Sequence, residues 1–476
     1  MKNTTAALLL LLIFACSAPS ESPEEKALAD RISRIENGLY ANVQYFGDSI
    51  PKFNIEERLR ELGIPGVSIA FINNGEIEWA RAYGMADSSE NRPMTPETML
   101  LAGSISKPVA AIRAHQLAEQ GLISLDSNVN NYLSSWKVPD NEFTEEEKVT
   151  IRRILNHTAG LTVWGFPGYD KGDTVPTVPQ VLDGEGNTDA VRVYKEPGES
   201  WQYSGGGYTI MQLAITDLEG KTFPEIMQTE VLDPLGMTGS TFENPLPEKY
   251  HSIAATGYRT NGDEVEGKWP IYPEMAAAGL WTTPSELILY AKEFQRISNT
   301  QEDGILKAST TAEMLTPGLN DHGLGPVIEE FTFGHGGADE GFRAELIAWK
   351  DEPFALVIMI NSDNSSIARE IKLSIADEYG LPGIEPIHRE VMEMSTEELE
   401  KFTGKYTIPD LGELQVNIKE NGLVQSAPFI SVPMFLLPAS DSSFFVTSDG
   451  EYVEFLMDGE SVTGFRIYGV EATKKD

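Results

Sequence analysis

The position of the strand-like segments constrains the fold of this chain more than any other feature. Early in the chain, the apolar run 66–72, an Asn-Asn-Gly turn and residues 76–83 predict a β-hairpin. Strand-like runs return in residues 331–361, after short helices and Gly/Pro turns over residues 122–330. Because the hairpin and the later strands need partners, we predict that they pair in one sheet. The expected fold class is α/β, an antiparallel sheet flanked by helices with a mostly helical insertion.

Outside this sheet, the sequence predicts flanking helices and a separate C-terminal unit. Helices are predicted over residues 23–44, 53–62, 106–120 and 365–379. Residues 380–390 have the composition of a linker. Short β-like segments follow, and their spacing predicts a small all-β barrel or sandwich: 404–408, 412–418, 422–425, 443–447, 451–456 and 462–468. We therefore predict three parts: a leader over residues 1–22, a main domain over 23–384 and a small β-barrel domain over 385–476.

Charge and cysteine content exclude several classes of protein. The formal net charge of the 476-residue chain is −37, which repels nucleic acids and anionic membranes, so no nucleic-acid partner is expected. The single cysteine, Cys16, excludes an internal disulfide and a cysteine-based metal site. The histidines show no metal-ligand spacing, so we predict neither a metal nor an organic cofactor.

The N-terminal segment has the pattern of an export signal. Met1-Lys2 precedes an apolar run, residues 6–14, that is too short to anchor the chain across a bilayer. The following Ile13-Phe14-Ala15-Cys16 resembles a bacterial lipobox, so we predict lipidation of Cys16 and a cell-envelope location. The alternative is ordinary cleavage after Ala18, which would discard the cysteine. Membrane association is expected through this lipid only.

A serine three residues ahead of a lysine occurs three times, at Ser104/Lys107, Ser49/Lys52 and Ser134/Lys137. Only the first pair leads into a predicted helix, where positions i and i+3 are neighbours on one face. There the lysine can reach the serine hydroxyl, which needs a base before it can act as a nucleophile. The competing interpretation is a helix-capping serine followed by a surface lysine.

Two further motifs favour catalysis. They are Tyr203-Ser204-Gly205 and His335-Gly336-Gly337, the second followed by Ala338. Together with Ser104-x-x-Lys107, and in this order, they resemble the three motifs of the serine β-lactamase and penicillin-binding-protein superfamily. Its closest branch is the class C β-lactamase-related hydrolases and esterases. The resemblance covers about residues 30–380, and the C-terminal tail is similar to the lipocalin-like domains appended to some of these hydrolases.

The resemblance implies a mechanism. Ser104 would attack a carbonyl and become acylated, while Lys107 and Tyr203 share the proton transfers. The N–H groups of Ser104 and Ala338 would form the oxyanion hole. The residues implied in substrate binding or oxyanion stabilisation are His335, Gly336, Gly337, Ala338 and Gly205.

Two positions depart from the family pattern. Gly205 stands where an asparagine is usual, and His335 stands where β-lactamases have a lysine that attracts a carboxylate. Both changes weaken recognition of carboxylated amides. We therefore predict a carboxylesterase or a D-amino-acid peptidase or amidase acting on a small molecule or peptide. The alternatives are a penicillin-binding protein or β-lactamase, and a sensor or binding protein without turnover. A further alternative places the function in the barrel, as a site for a hydrophobic ligand or a partner chain. The sequence leaves the oligomeric state open.

Overall fold

The structure of the protein is a computed structural model that describes residues 22–45, 47, 49–409, 411–428, 430 and 433–475. The predicted export signal and Cys16 lie outside the described residues. Within the described part of the chain, no helix has the length and apolar character needed to span a membrane.

The described residues form thirteen α-helices and nineteen β-strands. The helices are α1 (Pro23–Glu36), α2 (Ile55–Leu62), α3 (Ser106–Glu119), α4 (Ile151–Leu155), α5 (Val178–Leu182), α6 (Gly205–Glu219), α7 (Phe223–Met227), α8 (Asp233–Leu235), α9 (Met275–Ala278), α10 (Pro284–Thr300), α11 (Ala308–Met314), α12 (Ser366–Tyr379) and α13 (Thr396–Glu400). The strands are β1 (Val43–Gln44), β2 (Gly66–Asn73), β3 (Glu76–Asp87), β4 (Arg92–Pro93), β5 (Leu100–Leu101), β6 (Trp281–Thr282), β7 (Val327–Ile328), β8 (Thr332–Asp339), β9 (Phe342–Trp349), β10 (Ala355–Ile360), β11 (Ile387–His388), β12 (Gly404–Ile408), β13 (Gly412–Lys419), β14 (Gly422–Ser426), β15 (Met434–Pro438), β16 (Ser443–Val446), β17 (Tyr452–Asp458), β18 (Ser461–Ile467) and β19 (Val470–Lys474).

One antiparallel sheet joins the early hairpin to the later strands. Its order is β4-β3-β2-β10-β9-β8-β7, so β2 pairs directly with β10. The register places Val67 opposite Ile360 and Ala70 opposite Val357. The expected α/β fold class, an antiparallel sheet with helices around it, is therefore confirmed. β8, which carries the third sequence motif, lies near the end of this sheet.

The sheet is the middle of three layers. Val67, Ile69 and Phe71 of β2 pack into a core that α1, α2 and α12 cover. Ala70 and Ile72 point to the opposite face, where α10 and the helical insertion supply the core. Both faces of β2 are therefore buried, which explains why its sequence is a continuous apolar run.

The N-terminal helix is shorter than the sequence pattern predicts. α1 ends at Glu36 instead of continuing to residue 44. A Cβ on Gly38 would lie 2.5 Å from the Arg34 carbonyl oxygen, so the chain turns away here on a residue without a side chain. Beyond this turn, β1 pairs in parallel with β11 in the linker.

The C-terminal strands close into an eight-stranded barrel, β12 to β19, which confirms the predicted all-β unit. The pattern missed β15 and β19, because β15 ends in proline and β19 alternates charged residues with few apolar ones. The boundary between the two predicted domains stays a prediction. Val43 from β1 packs with Leu437 and Phe445 of the barrel, so the N-terminal segment contacts both linker and barrel.

Aromatic side chains occupy the barrel interior. The Phe455 ring lies 4.7 Å from the ring of Phe402, 5.3 Å from that of Phe444 and 5.6 Å from that of Phe465, measured between centroids. These four side chains are buried. Such edge-to-face contacts fill the space that a hydrophobic ligand would need, which favours a structural role for the barrel.

Replacing Phe455 by alanine should destabilise the barrel by about 3–5 kcal/mol, because it leaves a cavity among packed rings. Hydrogen-exchange mass spectrometry of barrel peptides measures the free energy of opening. Met457→Ala is the matched control, since Met457 lies on the same strand and is exposed. If barrel peptides of Phe455→Ala and Met457→Ala exchanged hydrogen at equal rates, a packed aromatic interior would be contradicted.

Candidate active site

The three sequence motifs meet in one pocket. Ser104 lies in a 3-10 turn, Gly103–Ile105, immediately before α3, and Lys107 follows in the first turn of that helix. Tyr203 precedes α6, and the motif that begins at His335 lies on β8. Ser104, Tyr203 and His335 all line a cavity of about 450 Å³.

Lys107 is buried against the serine. Its Nζ donates to Ser104 Oγ at 2.9 Å and to the Ala277 carbonyl at 2.9 Å. Its side chain is 2% exposed, and Nζ lies 4.9 Å from the centre of the Tyr203 ring. Ser104, Lys107 and Tyr203 therefore form one cluster, as the sequence predicts. A serine hydroxyl beside a buried amine is the arrangement that nucleophilic catalysis requires.

The other two Ser-x-x-Lys patterns have no such contact. Lys52 Nζ lies over the Tyr40 ring, 3.6 Å from its centre. Lys137 donates to the carbonyls of Asn130 and Leu133. The helix after Ser104 was thus the correct criterion for choosing among the three pairs.

A glutamine that the sequence analysis missed holds the Ala277 carbonyl in place. Gln212 Nε2 donates to the Pro273 carbonyl at 2.9 Å, and its Oε1 accepts from the Ala276 N–H at 2.9 Å. These bonds fix the start of α9, whose Ala277 carbonyl accepts from Lys107. No local motif marks Gln212, because its partners lie about 60 residues away in the sequence.

His157 positions the tyrosine. Its ring stacks on Tyr203 with 4.2 Å between centroids and 29° between planes. Nδ1 accepts from the Ser204 N–H at 3.1 Å, so this nitrogen carries no proton. Burial, followed by the nearby charge of His322, holds the pKa of His157 well below its usual range. His157 therefore packs on Tyr203 and accepts from the backbone of Ser204, which holds the segment before α6 in place.

Two glycines allow β8 to touch the turn that carries Ser104. A Cβ on Gly337 would lie 2.0 Å from the Ala102 carbonyl oxygen. A Cβ on Gly103 would lie 2.5 Å from the Ala338 nitrogen, and Gly103 has a φ of +53°. Backbone therefore packs on backbone at this point, and the nitrogens of residues 104 and 338 belong to adjoining segments.

His335 is a neutral group in this pocket. Burial and then the charge of Lys107 lower the pKa of His335 to about 3. Nδ1 lies 2.5 Å from the Gly336 carbonyl, which assigns the proton to Nδ1. Nε2 is buried without a hydrogen-bond partner and is therefore an available acceptor. The third motif consequently lacks the fixed positive charge that a lysine would supply.

His322 lies beside these groups although the sequence analysis gave it no role. Its ring centroid lies 5.1 Å from that of His157 and 6.2 Å from that of Tyr203. It reaches the pocket from the turn between α11 and β7, far from the three motifs. In the described chain, no group of three or more acidic, histidine or cysteine side chains could hold a metal ion.

The structure gives a physical reason for Gly205. A Cβ at this position would meet Phe166 Cε2 and the Trp164 carbonyl oxygen, each at 3.1 Å. The Gly205 N–H donates to the same carbonyl at 3.0 Å. The segment 162–166 therefore occupies the space that a side chain at residue 205 would need.

Comparison with known proteins agrees with this geometry. Residues 53–379 match the family described as Beta-lactamase, which is most of the chain. The chain belongs to the β-lactamase family. It is similar to penicillin-binding protein 4* of Bacillus subtilis, with 23% identity over 428 residues covering 83% of this chain and 90% of the relative.

Solved structures share the fold of this β-lactamase family member. An octameric penicillin-binding protein homologue from Pyrococcus abyssi superposes with a TM-score of 0.61 at 21% identity, covering 88% of this chain and 98% of that one. FmtA from Staphylococcus aureus superposes with a TM-score of 0.56 at 19% identity, covering 79% of this chain and 100% of that one.

Gly337→Ala should separate β8 from the nucleophile turn and slow acylation of Ser104 by about 100-fold, the effect of a roughly 1 Å misplacement. The rate of labelling by a fluorophosphonate probe measures it. Gly334→Ala is the matched control, because its Cβ would lie 1.9 Å from the Leu346 carbonyl oxygen, on the same strand but away from Ser104. Equal labelling rates in the two variants would contradict the positioning role.

A buried carboxylic acid lies at the start of α9. Glu274 is fully buried, and both of its carboxyl oxygens lack a hydrogen-bond partner. Burial raises the pKa of Glu274 to about 8, so the group is protonated at neutral pH. An unfolded glutamate has a pKa of about 4.3. The protonated form therefore stabilises the fold below that value, and this contribution is lost as the pH rises through the folded-state pKa.

Glu274→Gln should remove this pH dependence while keeping the size of the side chain. We expect the wild type to lose stability relative to the variant by up to about 1.4 kcal/mol per pH unit between about pH 5 and pH 8. Denaturant unfolding across this range measures the difference. Glu266→Gln at an exposed position is the control. Parallel stability curves for wild type and Glu274→Gln would show that Glu274 ionises normally.

Proposed function

We propose that this protein is a serine hydrolase that forms an acyl-enzyme on Ser104 from ester or amide substrates. The observation that carries the proposal is the 2.9 Å contact between Lys107 Nζ and Ser104 Oγ, with the lysine fixed from behind by the Ala277 carbonyl. In this proposal Lys107 accepts the serine proton along the same contact. Membership of the β-lactamase family supports this chemistry.

Tyr203 completes the proton path. Its ring lies over Lys107 Nζ and packs against His157, so the two candidate proton carriers are neighbours. The proton taken from Ser104 passes to the leaving group, and a water molecule later hydrolyses the acyl-enzyme with the same pair as base.

The oxyanion would lie between the Ser104 and Ala338 N–H groups. The close packing of Gly103 on Ala338 supports this placement, because it brings the two backbone segments together without intervening side chains. Two fixed N–H donors stabilise a developing negative charge without reorganisation during the reaction.

The substrate class follows from what the pocket lacks. His335 is neutral, so the strand β8 offers no fixed cation for a substrate carboxylate. This favours a carboxylesterase or a D-amino-acid peptidase or amidase over an efficient β-lactamase. A penicillin-binding protein is the second candidate, and it is favoured by the similarity to penicillin-binding protein 4*. We further propose that Cys16 carries a lipid that holds the enzyme at the cell envelope.

The first test is labelling of residues 23–476 with a fluorophosphonate probe, followed by intact mass and peptide mapping. We expect one adduct on Ser104, none in Ser104→Ala, and normal labelling in Ser134→Ala, whose serine belongs to a second Ser-x-x-Lys pattern. Hydrolysis of p-nitrophenyl acetate should fall by at least about 100-fold in Lys107→Ala. An unlabelled wild-type protein would overturn the proposal.

The same preparation separates the alternatives. Incubation with benzylpenicillin and intact mass analysis detects a stable penicilloyl adduct, which would favour a penicillin-binding protein. An adduct on Ser104 without turnover of any ester or D-amino-acid amide would favour a sensor.

A further inference from the structure

Trp164 is a large aromatic side chain left in solvent at the mouth of the catalytic pocket. It is 67% exposed, and its ring lies 5.4 Å from the Tyr203 ring. It lines the same cavity as Ser104. An indole gains free energy when its faces are covered, so an exposed indole beside a nucleophile is suited to contact a ligand.

The residue before Trp164 has a strained backbone conformation. Val163 has a φ of +61°, a conformation that is a genuine outlier for a β-branched residue. Strain of this kind persists where the surrounding structure imposes it, and it concentrates at functional sites.

The start of α6 imposes the strain. Ser204 Oγ donates to the Thr162 carbonyl at 2.8 Å. The Gly206 N–H donates to the Val163 carbonyl at 3.1 Å, and the Gly205 N–H donates to the Trp164 carbonyl at 3.0 Å. Three consecutive carbonyls are thus bound by one helix start. The backbone of Trp164 is held by the residues that directly follow Tyr203.

The segment 162–166 lies where a substrate-recognising side chain at residue 205 would be. A Cβ at residue 205 would lie 3.1 Å from Phe166 Cε2 and from the Trp164 carbonyl oxygen, so this segment crowds the position from which a side chain would reach the substrate. Trp164, Trp201 and His335 line the cavity. Arg343 and Glu345 line it as well, but each is held in an ion pair, Arg343 with Asp363 and Glu345 with Lys372.

We propose that Trp164 is the platform of an aromatic subsite that binds the group attached to the scissile carbonyl, so that preferred substrates carry an aryl or other flat apolar acyl group. This inference rests on the proposed acyl-serine chemistry. The acyl group is the part of the substrate that stays bonded to Ser104 after the leaving group departs. It must therefore fit the cavity that Ser104 and Trp164 both line.

Boronic acids with different side groups test the subsite. Ser104 Oγ adds to boron, which becomes tetrahedral, while the serine proton passes to the Lys107 and Tyr203 pair and no bond to a leaving group breaks. Inhibition constants for 2-phenylethylboronic acid and methylboronic acid are measured by competition with the fluorophosphonate probe. The ratio of the two inhibition constants measures how much the subsite contributes to binding. The inhibition constant of the methyl compound measures the reactivity of Ser104 alone.

We expect Trp164→Ala to raise the inhibition constant of 2-phenylethylboronic acid by about tenfold or more. The inhibition constant of methylboronic acid should change by less than about twofold. Trp164→Phe should retain most of the preference. Tyr468→Ala, which removes an exposed aromatic from the barrel, is the control and should change neither constant.

Two results would overturn the inference in distinguishable ways. If the wild type binds both boronic acids and Trp164→Ala leaves the ratio of their inhibition constants unchanged, the aromatic subsite is contradicted and the proposed hydrolase function is not. Failure of the wild type to bind either boronic acid or to accept the probe would remove the hydrolase itself, and the subsite with it.

Discussion

The close contact between the turn at Gly103 and strand β8 at Gly337 is the constraint on which the candidate site depends. Each residue would place a Cβ within 2.5 Å of backbone atoms on the other segment. The turn sets where Ser104 begins α3, and α3 sets where Lys107 points. β8 in turn belongs to the sheet that joins both ends of the domain. Ser104 is therefore positioned by the whole sheet and not by a local loop.

Burial keeps three ionisable side chains of the main domain neutral. Burial lowers the pKa of His335 to about 3 and raises those of Asp339 and Glu274 to about 8, so all three are uncharged at pH 7. Asp339 still accepts a hydrogen bond from the Gly103 N–H, which ties the end of β8 to the turn. The charged side chains that line the same cavity as Ser104, Arg343 and Glu345, are neutralised in ion pairs with Asp363 and Lys372.

The sequence predicted the elements that have local signals. The hairpin at Asn74-Gly75 and the helix after Ser104 follow from residue-level rules, and the structure has both of them. The pairing of β2 with β10 followed from the need of both apolar runs for partners. Motif order supplied the three groups that meet in the pocket.

Contacts between distant segments of the chain could not be predicted from the sequence. Gln212 and His322 reach the site from elements without any motif, and a Cβ at Gly38, where α1 has ended, would also lie 2.7 Å from Ser374 Oγ of α12. Strands β15 and β19 were missed because β15 ends in proline and β19 has few apolar residues, and only barrel closure shows their partners. The exposure of Trp164 also depends on a helix start that only the folded chain brings to it.

Gly205 has a consequence for how this enzyme could change over generations. The asparagine usual in the family would have to enter space that Phe166 and the Trp164 carbonyl already fill. A side chain at residue 205 therefore requires the segment 162–166 to move by a few tenths of an ångström. The effect of a mutation at residue 205 consequently depends on which residues that segment carries.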